Sequence, residues 1–303
     1  MDLRELEYFL MVAEELNFTR AAQNLHVSQP TLSRQIAQME EVLGATLLRR
    51  NNKILELTEE GYLLKRRAQE IIELYDKTAQ EIKRNSSDNI EGTISIGVGV
   101  LKSVSLLITM IGEFRKKYPL VNFDILTITA DVASEKLEQG LLDVGILIEP
   151  ISLEKFNYLR MPGKEEMGVL MRADDALAEK ESIRPTDLLN KPLIFPYRLS
   201  VKKELESWFG RYYKKINVPF TSNLPMNAEI MVAQDLGYSL VVMLETDNWN
   251  YKHLVHKPLN PPLYSNAVLA WKKQQPASPA LEKFIDFCHE YIEMVVSSTP
   301  KEL

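Results

Sequence analysis

A 22-residue window near the start of the chain carries side chains suited to reading DNA bases and holds no acidic residue. It reads FTRAAQNLHVSQPTLSRQIAQM over residues 18–39, in a chain whose 36 basic and 42 acidic residues give a net charge of −6. Arg reads guanine and Gln reads adenine through paired hydrogen bonds, and Ser suits either base. A carboxylate here would mostly repel phosphates. The candidate DNA-contacting residues of this window are Arg20, Ser28, Gln29, Pro30, Thr31, Ser33 and Arg34.

Two helices should lead into the part of the window that holds most of these candidates. Apolar residues recur at helical spacing over residues 2–16, which predicts an amphipathic helix. Asn17 is a suitable cap for a second, shorter helix over about 18–25. The connection that follows it, His26-Val27, is short.

The third helix is predicted to present the base-reading side chains. Ser28 caps it, Pro30 falls in its first turn, and it ends at Gly44. The apolar stripe that must face a small core consists of Leu32, Ile36, Met39 and Leu43. The polar candidates lie on a different face near the N-terminus, as in a helix that enters the major groove. Two helices joined by so tight a turn are typical of a helix-turn-helix; the plainer alternative is a solvated polar face.

A basic hairpin is predicted to follow, because a second acid-free window spans residues 42–55. Hydrophobic pairs flank the segment RRNNK, which indicates two strands with a basic tip. Beside a helix-turn-helix such a hairpin is a wing, with Arg49, Arg50 and Lys53 placed to touch phosphates; the alternative is an exposed loop. Residues 1–92 hold 12 basic and 16 acidic residues, a net −4. Binding should therefore be salt-sensitive and should need a dimer for affinity.

From Glu59 to Asn85 the pattern predicts one long helix with a heptad seam. The seam consists of Leu64, Ala68, Ile71, Tyr75, Thr78 and Ile82. A helix of this length with one apolar seam needs a partner. It either packs on its own domain or pairs with a second copy, and pairing is the favoured interpretation. A polar hinge, NSSDNIEG, follows over residues 85–92.

Beyond the hinge the pattern alternates strand, helix and strand, which predicts an α/β domain with a mainly parallel sheet covered by helices on both faces. The first strand reads TISIGVGV, and the next helix is stopped by Pro119. This part should form two lobes with a cleft between them. Ligands in such sheets bind beyond the carboxyl ends of the strands.

Long phrases of the chain resemble LysR-type transcriptional regulators. The similarity is specific in FLMVAEELNFTRAAQNLHVSQPTLSRQIAQMEEVLGATLLRR and LTEEG, and weaker in FRKKYPLVNFDI, LEQGLLDVGIL and VAQDLGYSLVV. The resemblance implies a winged helix-turn-helix, a linker helix and a periplasmic-binding-protein-like effector domain. It also implies homo-oligomers, dimers and dimers of dimers, that bind promoter DNA and answer a small-molecule co-inducer. RNA polymerase is a further candidate partner.

The predicted domain boundaries follow from these segments. Residues 1–58 form the winged helix-turn-helix domain, 59–87 the dimerisation linker helix, and 88–303 the effector domain. Within the effector domain, lobe I spans about 92–160 and 266–303, and lobe II spans about 161–265.

The predicted cleft lies where the strand ends of both lobes meet, and it is expected to hold a small organic anion. Val100 ends the first strand, and Lys102 and Ser103 open the next helix, where free N–H groups and the helix dipole favour an anion. The further candidates, all at ends of predicted strands or helices, are Thr129, Tyr197, Arg198 and Asn227. The plainer alternative makes Lys102 and Arg198 surface charges and Ser103 a cap.

An enzyme is the competing class of protein, and the chain offers it few suitable side chains. His253 and His256 have a spacing that suits a metal pair only on a helix, whereas their segment is predicted to be extended. Cys288 and His289 are adjacent on a helix and so point to different faces. We therefore predict no catalytic residue, no metal and no cofactor.

The location of the protein is predicted from three features of the whole sequence. There is a single cysteine, no signal-peptide pattern at the start and no apolar run of membrane-spanning length. These predict a cytoplasmic protein with no membrane partner. A transport-type binding protein is the second alternative, which the helix-turn-helix disfavours.

Overall fold

The computed structural model describes residues 1–51, 54–84, 90–244, 253–273 and 277–298; the side chains of residues 50, 51, 80, 81, 83 and 84 lie outside that description. The chain divides into two compact units, Met1–Ser86 and Ser87–Leu303. Among the described helices, none combines the length and the hydrophobicity that a membrane span requires.

Among its described residues, the first unit contains four helices and a two-stranded hairpin. Their bounds are α1 Leu3–Glu15, α2 Phe18–Asn24, α3 Gln29–Leu43, β1 Leu48–Asn51, β2 Ile54–Leu57 and α4 Glu59–Arg84. This order confirms the predicted helix-turn-helix and wing. Short polar side chains explain where two of the helices begin. Asn17 accepts hydrogen bonds from the amides of Thr19 and Arg20, and Ser28 accepts one from the amide of Thr31.

A small apolar core joins α1, α2, α3 and the hairpin. Leu32, Ile36 and Met39 of α3 are buried in it, as the apolar stripe predicts. Leu43, predicted in the same stripe, is instead 42% exposed. The helix ends at this residue, because the next one, Gly44, takes a left-handed conformation with φ +63° and turns the chain away.

Helix α4 is one continuous helix, as the heptad pattern predicts, but its apolar seam is covered only over its first turns. Ala68 is fully buried, and Leu64 packs against the core of the first unit. Farther along, Ile71, Tyr75 and Ile82 are 43%, 55% and 70% exposed. The second half of the seam thus presents large apolar side chains to solvent within the single chain.

The second unit builds two lobes, each around one sheet. Its strands are β3 Gly92–Val98, β4 Val121–Thr127, β5 Val144–Ile148, β6 Phe156–Arg160, β7 Glu165–Arg172, β8 Pro192–Pro196, β9 Asn217–Ser222, β10 Tyr238–Val242, β11 Leu254–Pro258, β12 Tyr264–Ser265 and β13 Ala267–Lys272. Its helices are α5 Ser103–Lys117, α6 Ala130–Gln139, α7 Leu199–Phe209, α8 Pro225–Ala233 and α9 Pro279–Ser298, with short 3-10 helices at Ala176–Glu179, Pro185–Leu188 and Gly210–Lys215.

Both sheets are mixed, whereas the sequence predicts a mainly parallel one. In lobe I the strand order is β4-β3-β5-β13-β6, and β3 is parallel to β4 and β5 while β13 is antiparallel to both its neighbours. In lobe II the order is β11-β7-β10-β8-β9. Strand β8 is parallel to β10 and β9, whereas β7 is antiparallel to β11 and β10. Parallel pairing needs a crossover helix. The chain supplies α5, α6, α7 and α8 for the parallel strands, but it enters β6, β7 and β13 without an α-helix.

Protonation of His256 should make the free energy of unfolding of lobe II depend on pH. This residue lies in β11, and burial lowers the pKa of its imidazole from 6.5 to about 4. The unfolded chain takes up the proton near pH 6.5 and the folded protein only near pH 4. The free energy of unfolding should therefore fall as the pH drops through this window, by up to ~3 kcal/mol at roughly 1.4 kcal/mol per pH unit.

Urea unfolding of His256→Phe between pH 7 and pH 4 tests this expectation, because the variant should lack that part of the acid-induced loss. The matched control is His289→Gln, since His289 has an exposed side chain in α9. This variant keeps His256 and should therefore keep the acid-induced loss that His256→Phe lacks. Parallel curves for the wild type and His256→Phe would contradict the prediction.

Candidate functional site

The turn between α2 and α3 is tight because His26 takes a left-handed conformation, with φ +55°. Its amide donates to the carbonyl oxygen of Gln23 at 3.1 Å, and the amide of Val27 donates to that of Ala22 at 3.0 Å. The chain then enters α3 at Ser28, whose side chain caps the helix. These bonds fix the start of α3 relative to α2, as a helix-turn-helix requires.

The first turns of α3 present the predicted polar side chains to solvent. Pro30 and Arg34 are exposed, and Gln29 and Ser33 are half-buried. Within the described part of the chain, the guanidinium of Arg34 takes part in no hydrogen bond or ion pair. The N–H donors of its guanidinium are therefore available to base edges or phosphates.

Three other predicted DNA contacts already have partners in the first unit. The Ser28 hydroxyl accepts a hydrogen bond from the Thr31 amide at 3.2 Å and lies 2.7 Å from the Thr31 hydroxyl. Arg20 donates to the carbonyl oxygen of Glu15 at 2.8 Å, and its Nε lies 3.0 Å from the Glu15 carboxylate. Ser28 and Thr31 thus form the cap of α3, and Arg20 ties α2 to the end of α1.

The wing is a short antiparallel hairpin with basic residues on its strands. Arg50 lies in β1 opposite Leu55 of β2. Arg49 makes a cross-strand ion pair, in which its Nε lies 3.6 Å from the Glu56 carboxylate. Lys53, predicted at the basic tip, lies outside the described residues.

A cavity of about 150 Å³ lies between the two lobes of the second unit. It sits beyond the carboxyl ends of parallel strands, where ligands bind in α/β folds. Its apolar lining residues are Gly99, Val100, Leu101, Ile128, Ala130, Ile146, Ile148, Met167, Phe195, Pro196, Val201, Leu224, Pro225, Ala228, Leu240, Val241 and Val242. Its polar lining residues are Thr129, Tyr197, Arg198, Ser222, Asn223, Ser239 and Ser265. We call this cavity the cleft.

The structure brings part of the predicted cleft set together. The predicted residues that line the cleft are Val100, Thr129, Tyr197 and Arg198. Lys102, Ser103 and Asn227 are not among its lining residues. Asn227 already lies inside α8, so that Asn223, in the loop between β9 and α8, lines the cleft instead. Sequence reasoning missed Ser222 and Asn223, although their position at the carboxyl end of a strand was an available signal.

The N-terminus of α5, predicted as the anion site, already holds a carboxylate of the protein itself. The two oxygens of Glu165 accept hydrogen bonds from the amides of Lys102 and Ser103, both at 2.9 Å. Glu165 begins β7 and is only 2% exposed. The expectation that these amides are free is therefore wrong, because a residue 62 positions after Ser103 occupies them.

Arg198 joins the two lobes across the edge of the cleft. From the start of α7 in lobe II, its Nε donates to Oδ1 of Asp131 at 2.9 Å, and its Nη1 and Nη2 donate to the carbonyl oxygens of Ile148 and Pro150 at 2.9 and 2.7 Å. The side chain is only 8% exposed. The charge of Arg198 also acts on the carboxyl of Glu204. Burial raises the pKa of that carboxyl, and the positive charge of Arg198 partly offsets the rise. The guanidinium is thus a buried tie between lobes, not the surface charge of the plainer alternative.

Replacing Arg198 by Ala should lower the free energy of unfolding of the second unit by about 2–4 kcal/mol, because a buried charge loses its hydrogen bonds and leaves their acceptors unpaired. Urea unfolding measures the loss. Arg160→Ala is the matched control: its guanidinium is 59% exposed and lies 3.7 Å from Glu149, so its loss should stay below about 1 kcal/mol. Equal losses in the two variants would show that Arg198 does not tie the lobes.

Comparison with protein families matches both units of the chain. Residues 3–62 match the model of the bacterial regulatory helix-turn-helix protein, lysR family. Residues 87–293 match the model of the LysR substrate binding domain. The first match contains α3, and the second contains the residues that line the cleft.

Individual proteins are similar over nearly the full chain. The Hca operon transcriptional activator HcaR of Escherichia coli (strain K12) is 30% identical over 98% of this chain and 100% of that protein. The HTH-type transcriptional regulator BsdA of Bacillus subtilis (strain 168) is 26% identical, over 94% of this chain and 99% of that protein.

Two solved structures of CbnR, a LysR family transcriptional regulator, show a similar fold. The first covers 96% of this chain and 99% of that chain with a TM-score of 0.74 at 19% identity. The second, of full-length CbnR complexed with its target DNA, covers 96% and 100% with a TM-score of 0.72 at 20% identity.

Proposed function

The chain belongs to the LysR family of DNA-binding transcriptional regulators, and from this premise we propose that a small molecule held in the cleft modulates its binding to promoter DNA. One observation carries the proposal. The same chain combines an exposed, acid-free helix face in its first unit with a mainly apolar cleft between two lobes in its second. The first suits DNA, and the second suits a small ligand.

Recognition of DNA is assigned to α3 and the wing. The side chains proposed to contact base edges or the adjacent backbone are Ser28, Gln29, Pro30, Thr31, Ser33 and Arg34, with Arg20 beside them. Arg50 and Lys53 are proposed to contact flanking phosphates. This division is supported by the exposure of Arg34 at the start of α3 and by the position of Arg50 on the wing. Base contacts supply specificity, whereas phosphate contacts supply position and salt-dependent affinity.

Pairing of two copies is assigned to the linker helix, residues 59–87. The support is the exposure of Ile71, Tyr75 and Ile82 along the second half of its seam. Two copies of α4 that bury these side chains against each other would remove large apolar groups from water. A dimer also places two copies of α3 on two half-sites, which a first unit with net negative charge needs for affinity. We propose that two such dimers then assemble into a tetramer.

Modulation is assigned to the two-lobed part, residues 88–303. Buried polar contacts already link the lobes beside the cleft, through Arg198 and through Glu165. A ligand shifts a protein between conformations only by as much as it binds one of them better. A molecule that fills the cleft contacts both lobes, so it favours one arrangement of them over others.

Selection from a random 30-base-pair duplex library tests the DNA-binding part of the proposal. The full-length protein should enrich a motif with two related half-sites, and footprinting on the enriched duplex should protect both. A matched duplex with scrambled half-sites should bind at least 100-fold more weakly at the same salt concentration. Retention of the library without an enriched motif would contradict sequence-specific binding.

Sedimentation of the full-length protein at micromolar concentration tests the oligomer. Dimers or tetramers are expected for the wild type. Ile82→Glu places a charge in the proposed seam and should shift the protein towards monomers, whereas Glu73→Gln on the same helix should not. A monomeric wild type would rule out the assigned pairing.

A further inference from the structure

The cleft offers few formal charges to a ligand. Among the lining residues that the structure describes, Arg198 carries the only one. The other polar lining residues, such as Thr129, Asn223 and Ser265, are neutral hydroxyls and an amide. Among its described side chains, only Arg198 could therefore pair with an organic anion through a formal charge.

The positive charge of Arg198 is already balanced within the protein. Its three donor nitrogens bond to the Asp131 carboxylate and to the carbonyl oxygens of Ile148 and Pro150. A ligand carboxylate at this position would have to replace contacts that link the lobes. It would also approach the negative charge of Asp131, and like charges at short range repel each other.

The N-terminus of α5 is balanced in the same way. Glu165 places its carboxylate on the amides of Lys102 and Ser103 and is almost fully buried. An internal carboxylate thus takes the place that a ligand carboxylate would take at a helix N-terminus. Met167, two residues further along the same strand, lines the cleft, and so does Ser265, which pairs with Glu165 in the sheet. The negative charge of Glu165 therefore lies close to the cleft wall.

The volume and the lining of the cleft determine which molecules fit in place of an organic anion. An apolar cavity of about 150 Å³ accommodates a molecule of the size of benzene, and the cleft has about this volume. Leu101, Ile146, Phe195 and Leu240 form much of its wall and come from both lobes. Such a wall favours an apolar ring or a short branched chain.

We propose that the cleft binds a compact, uncharged and mainly apolar molecule, about the size of one substituted aromatic ring, and discriminates against a carboxylate of the same shape. This inference rests on the proposed function, in which the cleft is the effector site. It replaces the organic anion expected from the sequence. Neutral hydroxyl and amide groups of the lining supply hydrogen bonds to one polar substituent.

Titration calorimetry of the full-length protein with benzamide and with benzoate at pH 7.5 tests this proposal, because the two probes share a shape and differ in charge. Benzamide should bind at least tenfold more tightly than benzoate. Equal affinities, tighter binding of benzoate, or no heat of binding with either probe at 10 mM would overturn the proposal.

Two variants locate the cause of the discrimination. Glu165→Gln keeps the shape of the side chain and removes its charge, so benzoate binding should tighten at least threefold while benzamide binding changes less than twofold. Val100→Trp fills the cleft from a half-exposed loop position and should abolish benzamide binding. Benzamide binding that survives Val100→Trp would place the probe elsewhere and overturn the proposal, whichever result Glu165→Gln gives.

A parallel measurement separates this inference from the proposed function. Fluorescence anisotropy of a library-selected duplex, with and without benzamide, reports whether occupancy of the cleft changes DNA binding. Tighter binding of benzamide than of benzoate supports the neutral-ligand proposal whether or not DNA binding changes. An unchanged DNA affinity at saturating benzamide would count against the proposed modulation alone.

Discussion

Arg34→Ala should weaken binding to the selected duplex by about 2–6 kcal/mol, or roughly 30-fold to 25,000-fold, without unfolding the protein. One base-reading Arg contributes about 1–3 kcal/mol, and the proposed dimer on two half-sites would lose two of them. The fold should survive because Arg34 is exposed and makes no ion pair among the described residues. Anisotropy titrations at fixed salt measure the loss, and circular dichroism checks the fold.

The kind of loss distinguishes base reading from phosphate contact. A library selection with Arg34→Ala should show relaxed preference at one position of each half-site. Arg34→Lys keeps the charge but lacks the planar pair of donors, so it should relax the same position with a smaller loss of affinity. Arg50→Ala, on the wing, should instead weaken all duplexes alike and reduce the salt dependence. A footprint and a sequence preference unchanged in Arg34→Ala would disprove the assignment of α3 as the reading helix.

Gly61→Ala adds only a methyl group, yet it should lower the free energy of unfolding of the first unit by about 4 kcal/mol or more. Gly61 lies in the first turn of α4, and a Cβ there would stand 2.1 Å from the carbonyl oxygen of Leu47 and 3.0 Å from Cδ2 of Leu57. The carbonyl cannot simply move away, because it also accepts the amide of Thr58 at 3.0 Å. Overpacking usually costs about 1–3 kcal/mol, and a clash with backbone should exceed that range.

Gly112→Ala is the matched control, and it should raise rather than lower the free energy of unfolding. Gly112 lies in the middle of α5, and a Cβ there would meet no atom of the described residues within 4 Å. Ala should therefore stabilise that helix by about 0.5–1 kcal/mol. Urea unfolding, with hydrogen exchange to separate residues 1–86 from the rest, measures both variants. Protection of residues 1–86 that is unchanged in Gly61→Ala would contradict the close approach of α4 to the wing.

The helices of the first unit could be predicted from the sequence because their signals are local. Ser28 caps α3 through an amide three residues away, and Gly44 ends the same helix through its own left-handed backbone. Leu32 and Ile36 repeat at helical spacing and are both buried. Such interactions connect residues within one or two turns, so neighbouring residue types suffice to reveal them.

The charge that a ligand meets in the cleft depends on contacts between residues that are far apart in the sequence, so no local pattern reveals it. The sequence identifies Lys102 and Ser103 as the start of a helix, yet only folding brings the carboxylate of Glu165 onto their amides. The sequence predicts that Arg198 faces the cleft, yet its partner Asp131 lies 67 positions earlier, in the other lobe. A sequence shows which groups can pair, but the packing of two lobes selects which groups do. Because an ion pair or an occupied helix N-terminus changes what a ligand meets, the preference of the cleft for a neutral molecule arises from that packing.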